Sequence, residues 1–349
     1  MGLPMTASDP TLTGADDAAP SRAGDQHGLP GQSSSARSAW LIINPQAGHG
    51  GRSGAVEQIV QAGAELGWQI EVVETQSKGD ATRIAAEAAQ AGLPVVLVAG
   101  GDGTINEVIQ GLAGSDTALG AIPLGTMNVW VRELGLSLDP TQTLRELLRG
   151  QVRRIDLGRA NDRYFLLMAG LGFDAHAMLA VQGQTKRRFG PFAILAAGAV
   201  AALKMRGSRL RVRADGRTFS TDAVLVTIGN TRLWAGAVEI THHATAADGL
   251  LDVCIFPGRS LLTRLRHLLL VVIGRHDDDP EVMYFQAREL HVAARPTLPL
   301  QLDGDPFGST PLRVEVVPEA LRVLVGSGTA SALVGARHEA LGVLASDEA

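Results

Sequence analysis

The chain contains 349 residues, of which 45% are hydrophobic and 19% are charged. This balance is typical of a globular protein of about two domains, and it excludes both wholesale disorder and a fibrous repeat. The net charge of −5 excludes a general nucleic-acid binder of the histone kind, and the single cysteine excludes an intrachain disulfide and a cysteine-based zinc or iron–sulfur site.

The two ends of the chain differ in composition from the rest. Residues 1–38 contain three Leu and no Ile, Val, Phe, Trp or Tyr, which predicts a disordered leader. Residues 327–349 form an Ala/Gly/Ser-rich tail without recognisable chemistry. No signal peptide is recognisable, and no apolar run reaches the ~20 residues that cross a bilayer, so we expect a cytoplasmic protein.

Apolar strands alternate with helical patterns between residues 39 and 150. The strands are rich in β-branched residues and almost continuously apolar, which is typical of a parallel sheet covered by helices on both faces. We therefore expect an α/β domain over residues 39–150. Its predicted strands span 39–44, 70–75, 94–100 and 118–126, and its predicted helices span 55–66, 81–92, 105–113 and 128–134.

The pattern changes in the second half of the chain to short strands separated by tight turns. Residues 209–230 predict a strand, a tight Asp-Gly turn and a returning strand. We expect a mostly antiparallel β domain over residues 151–326, with helical insertions near 186–205 and 260–274. Two domains of different class create a cleft between them, where a ligand can bind.

Three loops rich in Gly, Asn and Thr follow predicted strands of the α/β domain, at residues 44–51, 100–104 and 125–128. The carboxyl ends of parallel strands meet at one edge of a sheet, and backbone N–H groups and helix N-termini at that edge bind phosphate. We therefore expect a nucleotide site there. A Walker P-loop is excluded because the dipeptide Gly-Lys does not occur.

Asp102 stands between two glycines of the second loop. A carboxylate beside a phosphate is unfavourable unless a cation lies between them, so Asp102 predicts a Mg²⁺ ion that bridges to a nucleotide phosphate. Thr104 and Glu107 form the Thr-x-x-Glu pattern of a capping box, which leaves a purely structural role at a helix start open for them.

The glycine loops belong to a longer series of motifs. VVLVAGGDGTINEVIQGL (95–112) is preceded by NPQAG (44–48) and followed by IPLGTMN (122–128), ATAADGLLDVCIF (244–256) and LQLDGD (300–305). This ordered series resembles the catalytic domain of the diacylglycerol kinase and sphingosine kinase family of lipid kinases. The resemblance extends over residues 39–326 and implies an NAD-kinase-like α/β domain, a β-sandwich domain and ATP in the cleft.

The resemblance also implies roles for particular residues. Those that it places around ATP and Mg²⁺ are Asn44, Gly48, Gly101, Asp102, Gly103, Thr104, Glu107, Gly125, Thr126 and Asn128. Arg132, in the following helix, would either contact a phosphate or be a solvated helix arginine. Asp156 would either lie near the lipid headgroup or end a strand.

Asp303 and Asp305 are the predicted catalytic pair. A primary alcohol is too weak an acid to attack ATP unaided, so a carboxylate must accept or steer its proton. The family pattern is usually Asp-Gly-Glu, and the resemblance makes Asp303 the base and Asp305 its support.

Two further groups of side chains are candidates for metal binding. Asp248 and Asp252 match a structural Mg²⁺ site of relatives, although a turn with two surface carboxylates explains them equally well. His242 and His243 are expected to be incidental, because adjacent side chains of a strand point in opposite directions.

One departure from the family is visible after the third loop. Met127 and Val129 replace the second Gly and the Asp of the usual Gly-Thr-Gly-Asn-Asp. Met lacks the backbone freedom of Gly and Val removes a carboxylate, so both changes bear on nucleotide preference and metal use.

Basic residues are concentrated around apolar stretches of the β domain. Nine of them are Lys186, Arg187, Arg188, Lys204, Arg206, Arg209, Arg211, Arg213 and Arg217, and four more are Arg259, Arg264, Arg266 and Arg275. The apolar stretches are residues 189–203 and 260–274. This arrangement is typical of docking on anionic lipid, and a core-packed helix with solvated arginines is the alternative.

Together these patterns predict an ATP- and Mg²⁺-dependent lipid kinase that transfers the γ-phosphoryl group to a lipid hydroxyl, with diacylglycerol as the default acceptor and phosphatidate as its product. The expected partners are the lipid substrate and the anionic inner face of the membrane, and a homodimer is left open. The alternatives are a soluble NAD-kinase-like enzyme and a non-catalytic lipid-binding protein with the same fold.

Overall fold

The structure is a computed structural model that describes residues 37–45, 52–172, 207–234, 236, 238–258, 260–329 and 331–335. The predictions for Gly48, for Arg259 and for the helical insertion near 186–205 with its five flanking basic residues lie outside the described residues. So do most of the predicted leader and tail.

The first part of the chain forms the expected α/β layer. Its strands are β1 (Ser38–Ile43), β2 (Gln69–Glu74), β3 (Val95–Gly100) and β4 (Ala118–Pro123), and its helices are α1 (Arg52–Glu65), α2 (Asp80–Gln90), α3 (Asp102–Leu112), α4 (Val129–Glu133) and α5 (Pro140–Leu148). The four strands are parallel and stand in the order β2-β1-β3-β4. Strands β3 and β4 are buried at every position, which explains their continuous apolar sequence.

The second part of the chain is mostly β. Its strands are β5 (Gln151–Ala160), β6 (Arg163–Phe165), β7 (Met168–Gly172), β8 (Ser208–Ala214), β9 (Arg217–Ala223), β10 (Leu225–Gly229), β11 (Leu233–Trp234), β12 (Val238–Glu239), β13 (Leu251–Phe256), β14 (Met283–Ala287), β15 (Glu289–Arg295), β16 (Pro299–Leu302), β17 (Asp305–Ser309) and β18 (Leu312–Val325). Its described helices are α6 (Leu261–Val272), a 3-10 turn (His276–Asp278) and α7 (Ser331–Val334).

Two sheets form a sandwich in this second part. The first sheet is continuous with the parallel strands, because β18 pairs in parallel with β4 and antiparallel with β5 and β15, after which β8 and β9 follow. The second sheet has the order β14-β13-β10-β7-β16-β17. Apolar side chains of both sheets share one buried core. The expected fold class, a parallel α/β domain beside an antiparallel β-sandwich, is confirmed.

The β8 region differs from its prediction in one respect. The expected returning strand is divided at Val224 into β9, which stays beside β8, and β10, which enters the second sheet between β13 and β7. The division allows one stretch of chain to contribute to both layers of the sandwich.

Helix α6 lies on the surface with most of its apolar side chains exposed. Leu262 and Leu269 are 78% and 61% exposed, and His267 is its one buried side chain. Within the described residues, the helices are too short or too polar to span a membrane.

Candidate active site

The chain segments that follow β1, β3 and β4 start side by side at one edge of the sheet. Strand β3 stands between β1 and β4, so the carboxyl ends of the three strands are neighbours. The loops approach closely: a Cβ atom added at Gly125 would lie 2.4 Å from the Cα of Gly101. Only glycine fits at position 125, because a side chain there would collide with the backbone of Gly101.

A cavity of about 440 Å³ opens beside these loops. Its lining residues are Asn44, Thr75, Gln76, Ser77, Lys78, Ala81, Gly101, Gly103, Thr104, Glu107 and Asp305. The N-terminus of α3 carries four of them, and the N–H groups and dipole of a helix N-terminus favour an anion such as a phosphate. The structure thus brings five predicted nucleotide residues together with Asp305.

Sequence reasoning missed the contribution of residues 75–78 to this cavity. These residues follow β2, which ends at the same sheet edge as β1 and β3. The sequence is sufficient to predict this contribution, because every loop that follows a parallel strand at that edge is a candidate to line the cavity. Lys78 adds the one cation that lines the cavity among the described residues.

The predicted capping box at Thr104 and Glu107 is wrong. Helix α3 begins at Asp102 with Gly101 as its N-cap, so Thr104 lies inside the first turn. The carboxylate of Glu107 instead accepts a hydrogen bond from the Gly79 N–H at 2.9 Å, which fastens the loop after β2 to α3. Both side chains remain at the cavity.

The loop 125–128 is held by its own side chains. Asn128, in a left-handed conformation with φ 48°, accepts from the Gly125 N–H at 2.9 Å and donates to the Gly125 carbonyl at 3.0 Å. Arg132 donates from Nε to the Met127 carbonyl at 2.8 Å. Because the positive φ falls on Asn128, the backbone at Met127 does not need glycine. The described residues that line the cavity do not include five of the predicted ones: Asp102, Gly125, Thr126, Asn128 and Arg132.

Asp102 joins the second and third loops. Its Oδ1 accepts hydrogen bonds from the N–H groups of Val129 at 2.8 Å and Trp130 at 3.4 Å, so it caps α4 from outside that helix. Burial raises the pKa of its carboxyl to about 6, the two N–H groups oppose the rise, and the charge of Asp303 adds to it. A bound divalent cation would relieve this cost.

Asp303 stands in a closed cradle of donors. Its Oδ1 accepts from the N–H groups of Leu167 at 2.8 Å and Met168 at 3.0 Å. Its Oδ2 accepts from the Leu166 N–H and from Asn106 Nδ2, both at 2.8 Å. Burial raises the pKa of this carboxyl against the lowering effect of the four hydrogen bonds. A carboxylate has about four acceptor positions, and all four of Asp303 are in use.

Asp305 has the opposite environment, although it lies only two residues away. It is the first residue of β17, it is half-buried, and it lines the cavity. Its Oδ2 lies 3.7 Å from the point that a Cβ atom on Gly103 would occupy, directly beside the α3 N-terminus. Of the two carboxylates, that of Asp305 is therefore open to the cavity, whereas the acceptor positions of Asp303 are all occupied; which of them is the base stays a prediction.

Two residues that the sequence patterns did not indicate are linked to Asp303, Asn106 directly and Arg163 through Asn106. Asn106, on α3, is 1% exposed and donates to Asp303. Its Oδ1 in turn accepts from Arg163, at 2.6 Å from Nη2 and 3.2 Å from Nε. A guanidinium donates only, so it fixes the orientation of the amide and directs Nδ2 to the carboxylate.

Asp156 does not lie at the cavity. It is 2% exposed, it stands within β5, and its two oxygens accept from the N–H groups of Glu319 at 2.8 Å and Gly249 at 2.7 Å. These bonds brace the bulge of β18 against the loop before β13. The alternative that Asp156 ends a strand is wrong, and its position near the lipid headgroup stays a prediction.

Asp248 and Asp252 are linked through Gln286. Gln286 Nε2 lies 3.5 Å from Asp248 Oδ2 and 3.1 Å from Asp252 Oδ2, and the Tyr284 hydroxyl donates to Asp252 Oδ1 at 2.8 Å. Asp252 is 1% exposed, so the alternative of two surface carboxylates is wrong for it. Burial raises the pKa of both carboxyls. Their Mg²⁺ site stays a prediction.

His242 and His243 are not in a strand. They follow β12 in a turn closed by the Ala244 N–H and the Thr241 carbonyl at 2.9 Å. In a turn, adjacent side chains need not diverge, and both rings lie beside Asp277.

A glycine-walled cavity with carboxylates near a helix N-terminus is typical of a phosphotransferase. With an alcohol as the acceptor, this is the class to which lipid kinases belong. Family models agree: residues 38–160 match the diacylglycerol kinase catalytic domain, and residues 168–325 match the YegS C-terminal NAD kinase beta sandwich-like domain. The chain belongs to this family of lipid kinases.

Individual relatives cover most of the chain. It is 30% identical to the diacylglycerol kinase of Bacillus subtilis over 276 residues, which is 78% of this chain and 91% of that protein. It is 31% identical over 295 residues to a Chromohalobacter salexigens protein named "Probable lipid kinase YegS-like", covering 83% and 94% of the two chains. The crystal structure of a diacylglycerol kinase from Bacillus anthracis matches with a TM-score of 0.67 at 21% identity over 84% of this chain and 98% of that one, which supports the fold.

Proposed function

We propose that the protein transfers the γ-phosphoryl group of ATP to the hydroxyl of diacylglycerol in a membrane and so produces phosphatidate. Family membership implies ATP as the donor. The observation that carries the proposal is the position of Asp305, an open carboxylate beside the phosphate-binding end of α3. The names of the curated relatives support diacylglycerol as the acceptor.

The residues of the cavity divide the work of phosphoryl transfer. The N–H groups of residues 101–103 hold the phosphates, and Lys78 is a cation in the same cavity lining. Asp305 accepts the proton of the attacking lipid hydroxyl, which is too weak an acid to react unaided. Asp303 is a positioning residue, because its four hydrogen bonds fix the turn between β16 and β17 on which Asp305 stands.

Mg²⁺ fits the side chain of Asp102. Magnesium prefers carboxylate oxygens, and burial raises the pKa of the Asp102 carboxyl to about 6, a cost that a bound divalent cation would lower. Val129 and Trp130 hold Oδ1, which leaves Oδ2 for the metal. When bound, the ion would neutralise charge on the phosphoryl oxygens.

A cationic surface supports docking on an anionic membrane. The side chains of β8 alternate between buried and exposed, and the exposed ones are Arg209, Arg211 and Arg213. Arg295 lies directly opposite Arg209 on β15. Like charges in that position destabilise a sheet, and Asp222, opposite Arg209 on β9, is the one carboxylate that lies in register with these arginines on the neighbouring strands. Among the described residues, no ion pair joins these four arginines to a carboxylate, so an anionic surface is their natural partner.

The apolar side chains of α6 supply a second contact with the membrane. Six of them in and directly after this helix are exposed: Leu261, Leu262, Leu265, Leu269, Val272 and Ile273. Arg266 pairs with Asp279 and Glu281, and Arg275 pairs with Asp278, so these two arginines are already neutralised. We propose that β8 provides the electrostatic attraction and α6 the apolar contact.

The test of the reaction is transfer of labelled γ-phosphate from Mg·ATP into an organic-extractable product. Mixed micelles would carry diacylglycerol, a sphingoid base or a polyprenol, and a parallel reaction would contain soluble NAD. Label in phosphatidate confirms the proposal. Label only in NAD phosphate supports the NAD-kinase-like alternative, and ATP binding without any transfer supports the non-catalytic one.

Substitution of Asp305 tests its role as proton acceptor. We expect Asp305→Asn to lower kcat by at least about 100-fold while the Kd for ATP changes little, because general-base catalysis contributes that much. Asp116→Asn is the control, since Asp116 is 87% exposed and remote from the cavity lining. Substantial turnover of Asp305→Asn would contradict the assignment.

A further inference from the structure

Three metal-ligating side chains meet in the β domain, on elements that do not line the nucleotide cavity. They are His242 and His243, in the turn after β12, and Asp277, in the 3-10 turn after α6. One ligand atom from each lies within 4.8 Å of the other two. We propose that these three residues bind a Zn²⁺ ion or another late first-row divalent cation.

The spacing of the ligand atoms suits tetrahedral coordination. Nε2 of His242 lies 2.9 Å from Asp277 Oδ2, and Nε2 of His243 lies 3.5 Å from the same oxygen. A tetrahedral zinc site with bonds of about 2.0–2.1 Å has ligand atoms about 3.3–3.4 Å apart. The observed separations differ from that value by only a few tenths of an ångström.

The donor set selects the metal. Two imidazole nitrogens and one carboxylate oxygen form a typical zinc donor set, whereas magnesium prefers oxygen ligands alone. The site is therefore distinct in chemistry from the Mg²⁺ position at Asp102. It is also distinct from the carboxylate pair at Asp248 and Asp252, which offers no nitrogen.

The surroundings fix the backbone that carries the ligands. His276 Nε2 lies 2.7 Å from the Ile240 carbonyl, and its ring meets that of His242 edge to face at 5.2 Å. The Tyr284 hydroxyl accepts from the His243 N–H at 3.2 Å. These contacts leave the Nε2 atoms of both ligating rings directed to Asp277.

One side of the cluster is open to solvent. The side chain of His243 is 61% exposed, while those of His242 and Asp277 are 18% and 28% exposed. An ion can enter from that side, and a water molecule can complete the fourth position. Once bound, the ion would join the turn after β12 to the C-terminal end of α6.

Metal titration of the full chain tests the proposal. The protein, without a histidine tag, is stripped with a chelator and titrated with Zn²⁺ by calorimetry and with Co²⁺ by visible absorption, in millimolar Mg²⁺. We expect one equivalent of Zn²⁺, visible bands of tetrahedral Co²⁺, and no displacement by Mg²⁺. Zn²⁺ should also raise the unfolding temperature, because it binds the folded state.

Variants assign the bound ion to this site. His243→Asn and Asp277→Asn should each weaken Zn²⁺ binding at least about tenfold and remove the Co²⁺ bands, and His243 is exposed enough to be replaced without loss of the fold. His291→Asn is the control, since His291 contacts only Glu289 among the described carboxylates. Unchanged affinity in both variants would place any zinc on another histidine and overturn the proposal. An absence of stoichiometric binding would do the same and leave a hydrogen-bonded His–Asp pair.

Discussion

Asp303 and Asp305 differ in environment because the backbone turns between them. Asp303 has φ 47° and turns its carboxylate back onto the N–H groups of residues 166–168, whereas Asp305 begins the next strand and faces the cavity. The motif alone identifies the pair and its chemistry. It does not distinguish the members, because the donors of Asp303 come from a segment more than 130 residues earlier in the chain.

The pKa of Asp102 predicts how this residue affects stability. Its folded-state value of about 6 exceeds the ordinary value of 3.8, so in the absence of Mg²⁺ the wild type loses stability as the pH rises from about 4 to about 6. The side chain of Asp102→Asn does not titrate, so this variant does not lose stability over that pH range. We expect its free energy of unfolding at pH 7.5 to exceed that of the wild type by up to about 3 kcal/mol. Urea unfolding at pH 4 and pH 7.5 in EDTA measures the difference.

The same variant should be inactive in phosphate transfer, and added Mg²⁺ should stabilise the wild type but not Asp102→Asn. Asp116→Asn, an exposed carboxylate variant, should show neither effect. A destabilised Asp102→Asn at pH 7.5 would mean that its carboxylate contributes to the fold in its charged form.

Arg163 is predicted to act on turnover through Asn106. Without the guanidinium, the amide of Asn106 can reverse and direct its oxygen to the carboxylate of Asp303, which loosens the turn that carries Asp305. We expect Arg163→Met to lower kcat about tenfold with an unchanged KM for ATP. Arg163→Lys should recover part of the loss, since it restores one donor. If Arg163→Met and Arg163→Lys each lower kcat in proportion to the decrease in their unfolding midpoint, the role of Arg163 is merely structural.

Helix α5 and the division of the strand at Val224 show which secondary-structure elements could be predicted from the sequence and which could not. The sequence contains an N-terminal capping pattern for α5: Asp139 accepts from the Gln142 N–H at 2.7 Å, and Pro140 is the first residue of the helix. The predicted elements do not include this helix, although the capping pattern indicates it. The division of β9 from β10 had no local signal, because it depends on which sheet each half joins. The parallel strands were predictable because burial on both faces requires continuous apolar sequence.

Strand β8 and helix α6 should make separable contributions to membrane binding. On vesicles that contain phosphatidylglycerol, Arg211→Ser with Arg213→Ser should weaken binding up to about 30-fold at low salt, at about 1 kcal/mol per arginine, and much less at high salt. Leu262→Ser with Leu269→Ser should weaken binding equally at both salt concentrations, because the loss is apolar.

Co-sedimentation with vesicles measures both effects. Arg83→Ser is the matched control, since Arg83 is exposed but paired with Glu87 at 2.8 Å. If neither double variant changes binding, these two surfaces do not contact the membrane.

Strand β18 joins the parallel α/β layer to the β-sandwich. It pairs with β4 of the parallel layer and with β5 and β15 of the sandwich, and Asp156 braces its bulge. We therefore expect a single unfolding transition. Trp234→Phe leaves three tryptophans, all in the α/β part, so its fluorescence reports on that part while circular dichroism reports on the whole chain. Coincident midpoints in denaturant confirm one unit, and an earlier fluorescence transition would show that the α/β part unfolds by itself.

The same strand has a consequence for synthesis on the ribosome. Strand β4 ends at Pro123, but its partner β18 ends at Val325, about 200 residues later. At a translation rate of about 5–20 residues per second, the edge of β4 stays unpaired for about 10–40 s after it leaves the exit tunnel. An exposed parallel edge of this kind is a template for aggregation. The nascent chain therefore completes this sheet only about 200 residues after β4 has been made, and chaperones that shield strand edges should govern its yield.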